Sequence, residues 1–408
     1  MPSRYRNFRH SVPWLILFLE AVFLVFSYFF LSDAATLGLS VVSYPAFQDV
    51  NHMVIFGFGF FLVVLRRYGF SSTGFNLLIM VLGVQYSVLT DYLLDYLDMQ
   101  KNENGLTRIT KATMSMTAVA ISTGAVLGKS NPLQLIVMAI VELITFSVSR
   151  RINKIFLEVL DSISMMHVHL FGAYFGLAVT SRFPEPSPRL DKNRNTPTSD
   201  LWSMLGTVFL WVFWPSFNSI LVRDANKVTA AYNTYFALAV SAVIAFAFSV
   251  LTTKDGKFQM AHIHSAVLAG GVTIGYTAQS IQHPWNAMVL GLLASVIAIA
   301  GSHCSQSCLN PPLKIHDTSG VHFTFALPAV LGALAQVALL LEDWTHLTSP
   351  GYLVLIHLGA FCQTIAVALI AGLITGLILN LKLFKIISSS KYFDDQFYWE
   401  FPHLSVGY

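Results

Sequence analysis

The sequence predicts an all-α, polytopic membrane protein, and three observations lead to that fold class. Hydrophobic residues make up 55% of the 408-residue chain and charged residues only 11%, whereas an average soluble domain carries about 25% charge. The mean hydropathy is +0.62. Apolar runs of about 20 residues, long enough to cross a bilayer as a helix, recur along the whole chain.

These runs predict about twelve transmembrane helices. An even number places both termini on the same side of the membrane. The predicted spans lie near residues 12–32, 50–65, 73–95, 112–128, 132–149, 154–180, 202–222, 229–252, 260–278, 285–302, 321–341 and 353–381.

The connections between the spans predict the orientation and the division of the chain. Lys and Arg favour the segments on the side of the termini by about two to one, which predicts cytoplasmic termini. The only long hydrophilic connection, 181–200, is rich in proline and charge and has the composition of a flexible linker. We therefore expect one membrane domain over 1–408, with halves of about 1–180 and 201–382 and a cytoplasmic tail over 383–408.

Composition and motifs argue against several other classes of protein. A net charge of +3 with no long basic run does not indicate a nucleic-acid partner. No phosphate loop, nucleotide fingerprint or nucleophile elbow is present, so we expect neither an enzyme nor a cofactor. Cys304 and Cys308 beside His303 are a poor zinc set, and no metal is expected. No asparagine has Ser or Thr two residues later, so N-glycosylation is not expected.

The most unusual segment is 161–177, which reads DSISMMHVHLFGAYFGL inside a long apolar run. An ionisable side chain in a span costs roughly 3 kcal/mol and usually faces a bundle interior or a pathway, so we expect Asp161 to have a polar partner. On a helix, His169 lies on nearly the same face as Gly176, roughly 20° away. We therefore take His169 as the candidate for lining a pathway. A hydrogen bond to a neighbouring helix is the alternative role. Gly172 and Gly176 form a small-residue seam that predicts a closely packed helix.

A second segment, 317–332, reads DTSGVHFTFALPAVLG and can be aligned with the first. Asp161 then matches Asp317, His169 matches Phe325 and Gly176 matches Gly332. Two similar helices far apart in a polytopic chain suggest an inverted repeat with the site at its interface. We therefore expect the side chains of His169 and Phe325 to lie within about 12 Å, roughly one helix diameter.

Other polar residues in apolar runs are weaker candidates. His264, next to SAVLAGG, and His322, within the second segment, are secondary candidates for a pore lining. For Glu20 and Glu142 we expect interior polar partners rather than a pathway role, because an unpaired buried carboxylate is costly.

Several segments together resemble the Rh branch of the ammonium transporter family. They are GAVLGK (124–129), FGAYFGL (171–177), FWPSFNS (213–219), HSAVLAGG (264–271) and the tail KYFDDQFYWEFPHLSVGY (391–408). The similarity covers nearly the whole chain and is greatest to the erythroid blood-group Rh(D) and Rh(CE) polypeptides. It implies a trimer of twelve-helix subunits, each with its own narrow pore.

The resemblance also assigns expected pore positions. The family's conserved acid corresponds to Asp161, the first histidine of its twin pair to His169 and the second to Phe325. The inner gate phenylalanine corresponds to Phe217 and the outer one to Met114. Phe325 and Met114 therefore depart from the conducting pattern.

Two functions follow as expectations from this resemblance. The first is passage of ammonia or ammonium, or another small gas such as carbon dioxide, across the plasma membrane. The second is a non-conducting structural and antigenic subunit of the erythrocyte Rh membrane complex. In either case the subunit would form a homotrimer, or a heterotrimer with the Rh-associated glycoprotein, with a possible link to the membrane skeleton.

Overall fold

A computed structural model describes residues 8–30, 42–97, 103–186, 192–304, 315–342, 350–384 and 386–401. Over these ranges the regular secondary structure is entirely helical and contains no strand. The predicted all-α fold class is confirmed.

The described residues of the first half of the chain form eight α-helices. A π-helical segment, Met53–Gly57, joins the second helix to the third, so the two continue as one rod. The helices are α1 (Phe8–Phe30), α2 (Tyr44–His52), α3 (Phe58–Phe61), α4 (Gly69–Leu97), α5 (Gly105–Ala125), α6 (Pro132–Ile155), α7 (Asp161–Met166) and α8 (Val168–Thr180).

The described residues of the second half form helices in a similar order. A second π-helical segment, His322–Ala326, leads directly into a long helix. The α-helices are α9 (Pro197–Ser219), α10 (Asp224–Thr252), α11 (Met260–Ile274), α12 (Pro284–Cys304), α13 (Leu327–Glu342) and α14 (Pro350–Leu379). Short 3₁₀ turns follow at Lys382–Phe384, Ser389–Lys391 and Asp395–Phe397.

Each of the twelve predicted apolar runs coincides with helix in the described residues. Eight helical stretches within those residues are long and apolar enough to cross a membrane, and α11 is a shorter apolar helix. The protein is therefore a multi-pass membrane protein. The count of twelve spans and the inverted repeat remain predictions.

Local capping explains why α9 begins earlier than the predicted span at residue 202. The Thr196 side chain accepts a hydrogen bond from the backbone N–H of Ser199, whose hydroxyl bonds back to the N–H of Thr196. Pro197 occupies the first helical position, where its missing N–H costs nothing. The last four residues of the predicted linker, 197–200, are therefore helical.

The glycine seam of α8 packs directly against α5, as predicted. A Cβ atom at Gly172 would lie 2.4 Å from the carbonyl oxygen of Ala118, and one at Gly176 would lie 2.6 Å from the Cα of Ser122. Only hydrogen side chains permit this approach. Gly332 on α13 makes a similar contact, since its Cβ would lie 2.3 Å from the carbonyl oxygen of Thr273.

The two carboxylates within apolar runs have the polar partners expected of them. The Gln85 side chain donates a hydrogen bond of 3.3 Å to Glu20. The Ser122 hydroxyl donates to Glu142, which is fully buried. Both acids thus act as interior hydrogen-bond acceptors that join neighbouring helices.

The C-terminal residues lie against the end of the bundle where α4 begins. The Asp395 carboxylate accepts hydrogen bonds from the backbone N–H groups of Phe70 and Ser71 at 2.9 and 2.8 Å, and so caps α4. The Phe393 N–H donates to the carbonyl of Gly128 at 2.9 Å. We call this surface (67–71, 128–130 and 392–399) the tail face.

Candidate functional site

His169 lies one residue beyond a break in its helix. The α-helical pattern of α7 ends at Met166, a turn is centred on His167, and α8 starts at Val168. The His169 side chain is wholly buried, and its Nδ1 lies 3.2 Å from the carbonyl oxygen of Met166. Because a carbonyl only accepts, Nδ1 carries the proton in this bond and Nε2 is left as an acceptor. Within the described part of the chain, Nε2 has no hydrogen-bond partner.

Aromatic rings enclose the imidazole of His169 on several sides. The Trp214 ring is stacked at a centroid distance of 5.5 Å and an angle of 17°, and the Phe325 ring at 6.3 Å and 9°. Phe217 presents an edge at 5.8 Å. We call His169, Trp214, Phe217 and Phe325 the ring group. The expected proximity of His169 and Phe325 is confirmed.

Phe325 extends the apolar contacts toward α3. It lies in the second π-helical segment, and its ring is 5.9 Å from that of Phe58 and 6.0 Å from that of Phe61. Phe61 in turn meets the imidazole of His264 edge-on at 5.1 Å. The secondary candidate His264 is thus one aromatic ring removed from Phe325. The contact of Phe325 with Phe58 lies at both π-helical segments, because Phe325 belongs to the second and Phe58 follows directly after the first. π turns occur frequently at functional sites.

Met114 and Asp161 lie outside the ring group. Met114 is fully buried in α5, where it contributes apolar surface to the same core. Asp161 is the first residue of α7, and its side chain is 25% exposed. The Lys111 ammonium pairs with Asp161 and, at 2.7 Å, with Glu103. Asp161 therefore has the charged partner that its cost in an apolar run led us to expect.

Asp317 and His322 lie where the second π-helical segment begins. One Asp317 carboxylate oxygen accepts from the N–H of Gly320 at 3.0 Å and the other from that of His322 at 2.9 Å. Burial raises the pKa of Asp317, although the hydrogen bond from the His322 N–H opposes the shift. The His322 ring lies 6.4 Å from that of Tyr174, and its Nδ1 has no partner.

A buried lysine near Asp317 did not emerge from the sequence. Lys129, between α5 and α6, donates hydrogen bonds to the Thr180 hydroxyl and the carbonyl of His316. Burial lowers its pKa to about 7, and the charge of Asp317 opposes that shift. Burial, with a smaller effect of the Lys129 charge, lowers the pKa of His316 to about 4.

Trp214 is the other member of the site that sequence reasoning missed. It is one of four aromatic residues crowded into 211–217, with no sign in the sequence of which ring faces the interior. Its position three residues before Phe217 puts both on one helix face. The residues named above as a poor zinc set are not part of this site's description, because Cys308 and the side chains of His303 and Cys304 lie outside the described residues.

Comparison with known proteins identifies the family of the chain. The family model described as "Ammonium Transporter Family" matches residues 13–395. The chain belongs to the ammonium transporter family. An RH-like protein of Macaca mulatta is 44% identical over 419 residues, covering all of both chains. The blood group Rh(CE) polypeptide of Homo sapiens is 42% identical over 418 residues, again covering both chains fully.

Solved structures show the same family fold. The Rh50 protein of Nitrosomonas europaea superimposes with a TM-score of 0.74 at 28% identity, over 89% of this chain and 93% of that one. Mep2 of Saccharomyces cerevisiae superimposes with a TM-score of 0.66 at 17% identity, over 84% and 86% of the two chains. The resemblance to the Rh branch found in the sequence is confirmed.

Proposed function

We propose that this family member is a channel-type subunit that passes ammonia or ammonium across the plasma membrane by way of the ring group. The observation that carries the proposal is the unpartnered Nε2 of buried His169. Leaving such an acceptor unused costs about 1–3 kcal/mol. An ammonia molecule or a water in the passage would supply the missing donor and remove that cost.

The surroundings of His169 suit the transfer of a proton from ammonium. Loss of water in an apolar passage favours the neutral form of an amine. Nε2 can accept a proton while Nδ1 keeps its hydrogen bond to Met166. The stacked face of Trp214 would stabilise the transient imidazolium by a cation–π interaction of about 1 kcal/mol. Neutral ammonia would then continue past Phe325, and the imidazolium would return the proton to water on the side of entry, which leaves His169 neutral again.

Phe325 and Met114 make the proposed pore a modified one. A phenyl ring has neither a donor nor an acceptor, so a molecule beside Phe325 regains no hydrogen bond for the water it sheds. Transport is therefore expected to be slower than with a histidine at this position. Carbon dioxide, which needs no proton relay, is the alternative permeant.

A second candidate function is a non-conducting structural and antigenic subunit of the erythrocyte Rh membrane complex. The observation that favours it is the contact of the Phe325 ring with the rings of Phe58 and Phe61, which would fill the proposed passage with apolar side chains. Such a subunit would assemble with a conducting Rh-associated glycoprotein and could link it to the membrane skeleton.

Both functions share the same assembly and orientation. The proposal includes a homo- or heterotrimer, twelve spans with an inverted repeat, cytoplasmic termini and no N-glycan. Asp161 would hold the geometry and the field at the mouth of the pore, a role that its pair with Lys111 supports. Phe217 would act as the inner gate, Met114 would replace the outer one, and Asp317, His322 and His264 would line secondary positions.

Methylammonium uptake into vesicles that contain the purified protein tests the choice. We expect measurable flux in the parent and an increase of up to about tenfold in Phe325→His, the value of one added hydrogen bond. The double variant with Phe325→His and Met114→Phe should show at least the same increase in flux. Phe323→His is the matched control, because it adds a histidine to the same π-helical segment outside the ring group.

The outcomes separate the two functions. Flux at the level of empty vesicles in the parent and in every variant would favour the structural subunit. Equal flux in the parent and in Phe325→His, above that background, would show that passage does not depend on a histidine at this position. Repeating the parent measurement with the Rh-associated glycoprotein in the same vesicles tests whether conduction needs that partner.

A further inference from the structure

A charged cavity lies at the opposite end of α4 from the tail face. It has a volume of about 30 Å³ and lies between the last turns of α4 and α6 and the first turns of α5. Space of this size holds about one or two water molecules or one small ion. Its lining includes five cationic side chains: Arg108, Lys111, Arg150, Arg151 and Lys154.

The carboxylates around the charged cavity are already engaged. Asp95 pairs with Arg108 at 3.0 Å and with Arg151 at 3.4 Å, and Asp91 pairs with Arg150 at 3.5 Å. Glu103 and Asp161 share Lys111. Among the described residues, four acids thus face five cations, which leaves an excess of positive charge around this cavity.

Arg108, which lines this cavity, has unused hydrogen-bonding capacity. Its side chain is only 3% exposed, and one nitrogen, Nη1, bonds to Asp95. Nε and Nη2 have no hydrogen-bond partner among the residues that the structure describes. The guanidinium is held in place by the Tyr92 ring, 5.3 Å away. Buried donors of a charged group are costly to leave unsatisfied, and a planar guanidinium presents them in a fixed direction suited to an anion.

We propose that the charged cavity binds one small monovalent inorganic anion of chloride or bicarbonate size. Nε and Nη2 of Arg108 donate to the anion, and Lys111 and Arg150 supply the surrounding positive potential. The bound anion neutralises the excess charge and stabilises the ends of α4, α5 and α6 together. The site does not depend on whether the ring group conducts, because its residues are separate from that group.

Thermal unfolding of the purified full-length protein in detergent tests the site. Sodium chloride replaces sodium gluconate at constant ionic strength, since gluconate is too large for a cavity of about 30 Å³. We expect the melting temperature to rise with chloride concentration and to saturate, as for any ligand that binds only the folded state. A parallel series with bicarbonate distinguishes the two ions. Saturation with either ion supports the proposal.

Variants identify the residue that binds. Arg108→Gln should raise the chloride concentration at half-saturation about tenfold or more, since it removes charged donors. Lys227→Gln is the matched control: it removes one cation from the surface pair of Lys227 with Asp224 and should leave the response unchanged.

Two results would overturn the anion site. One is identical melting of the parent protein in chloride, bicarbonate and gluconate. The other is an unchanged response in Arg108→Gln. If Arg108→Gln does not fold, direct binding of radioactive chloride to the parent protein decides the question: saturable binding supports the site, and its absence rejects it.

Discussion

The proton on His169 is positioned by the backbone turn that precedes it. Because Nδ1 donates to the carbonyl of Met166, the free lone pair on Nε2 is the one available for chemistry. The stacked rings of Trp214 and Phe325 restrict rotation of the imidazole about its own axis. A single histidine can thus present a defined acceptor without a second histidine to orient it.

The ion pair of Asp161 with Lys111 gives a prediction at this scale. Lys111 is 7% exposed, and replacing Asp161 with asparagine leaves this ammonium with Glu103 alone. Breaking a largely buried pair leaves an uncompensated charge, so Asp161→Asn should cost about 2 kcal/mol in the free energy of unfolding. Chemical denaturation in detergent micelles measures it.

The control for this prediction is the pair of Asp224 with Lys227. The Asp224 side chain is 92% exposed, so Asp224→Asn should change stability little. An equal small effect of both substitutions would mean that Asp161 contributes no more than a surface charge.

At the scale of single residues, prediction from sequence succeeded where burying one side chain without a partner costs free energy. A carboxylate at 161 and histidines in an apolar run needed partners, and the structure supplies Lys111 for the carboxylate and an aromatic enclosure for His169. The identity of the partners could not be predicted, because Lys111 lies 50 residues and Trp214 lies 45 residues from the groups they contact.

At the scale of elements, close packing of α8 on α5 fixes the position of His169. Gly172→Ala would place a Cβ atom 2.4 Å from the Ala118 carbonyl oxygen, part of a helix backbone that cannot move alone. We expect a loss of about 1–3 kcal/mol of stability from this overpacking, measured by denaturation in micelles.

Gly59→Ala is the matched substitution for that comparison. Its Cβ would make an ordinary contact of 3.5 Å with the side chain of Asn76. Alanine also has the higher helix propensity, so this variant should be as stable as the parent or slightly more stable. Similar losses at Gly59 and Gly172 would rule out the seam as the cause.

Helix positions were predicted well because hydropathy over 20 residues is a strong signal. The two π-helical segments and the break at His167 were not predicted, because each depends on packing against other elements and leaves no local pattern. The seam of Gly172 and Gly176 was predictable because two small residues one turn apart have few other uses in an apolar helix.

At the scale of the whole molecule, Lys129 joins both halves of the chain. It lies in the turn after α5 and bonds to the end of α8 and to the segment before α13. Its pKa of about 7 lies below the ordinary value of 10.5, so the unfolded chain binds more protons between these values. Stability should therefore rise with pH from about 7 to 10.

The prediction is a gain on the order of 2 kcal/mol between pH 7 and pH 9 in the parent protein. In Lys129→Met this part of the pH dependence should disappear, whatever the absolute stability of the variant. Melting curves at several pH values for both proteins make the comparison. Parallel pH profiles would contradict the assignment.

The contacts that organise the whole molecule were the hardest to predict from the sequence. The linker and the tail are predictions from the sequence, and nothing in the sequence indicates that Asp395 caps α4 or that Phe393 bonds to Gly128. These contacts join residues more than 260 positions apart, and each involves a backbone group, which every residue has.

The cap on α4 also affects the timing of biosynthesis. Asp395 is 325 residues downstream of Phe70. At a translation rate of about 5–20 residues per second, α4 is made roughly 15 to 65 seconds before its capping residue exists. During that interval the first N–H groups of α4 must be satisfied by water or by a chaperone at the membrane surface. A chain that stops before residue 392 would keep the first N–H groups of α4 exposed. Cellular quality control would then have a lasting signal that synthesis is incomplete.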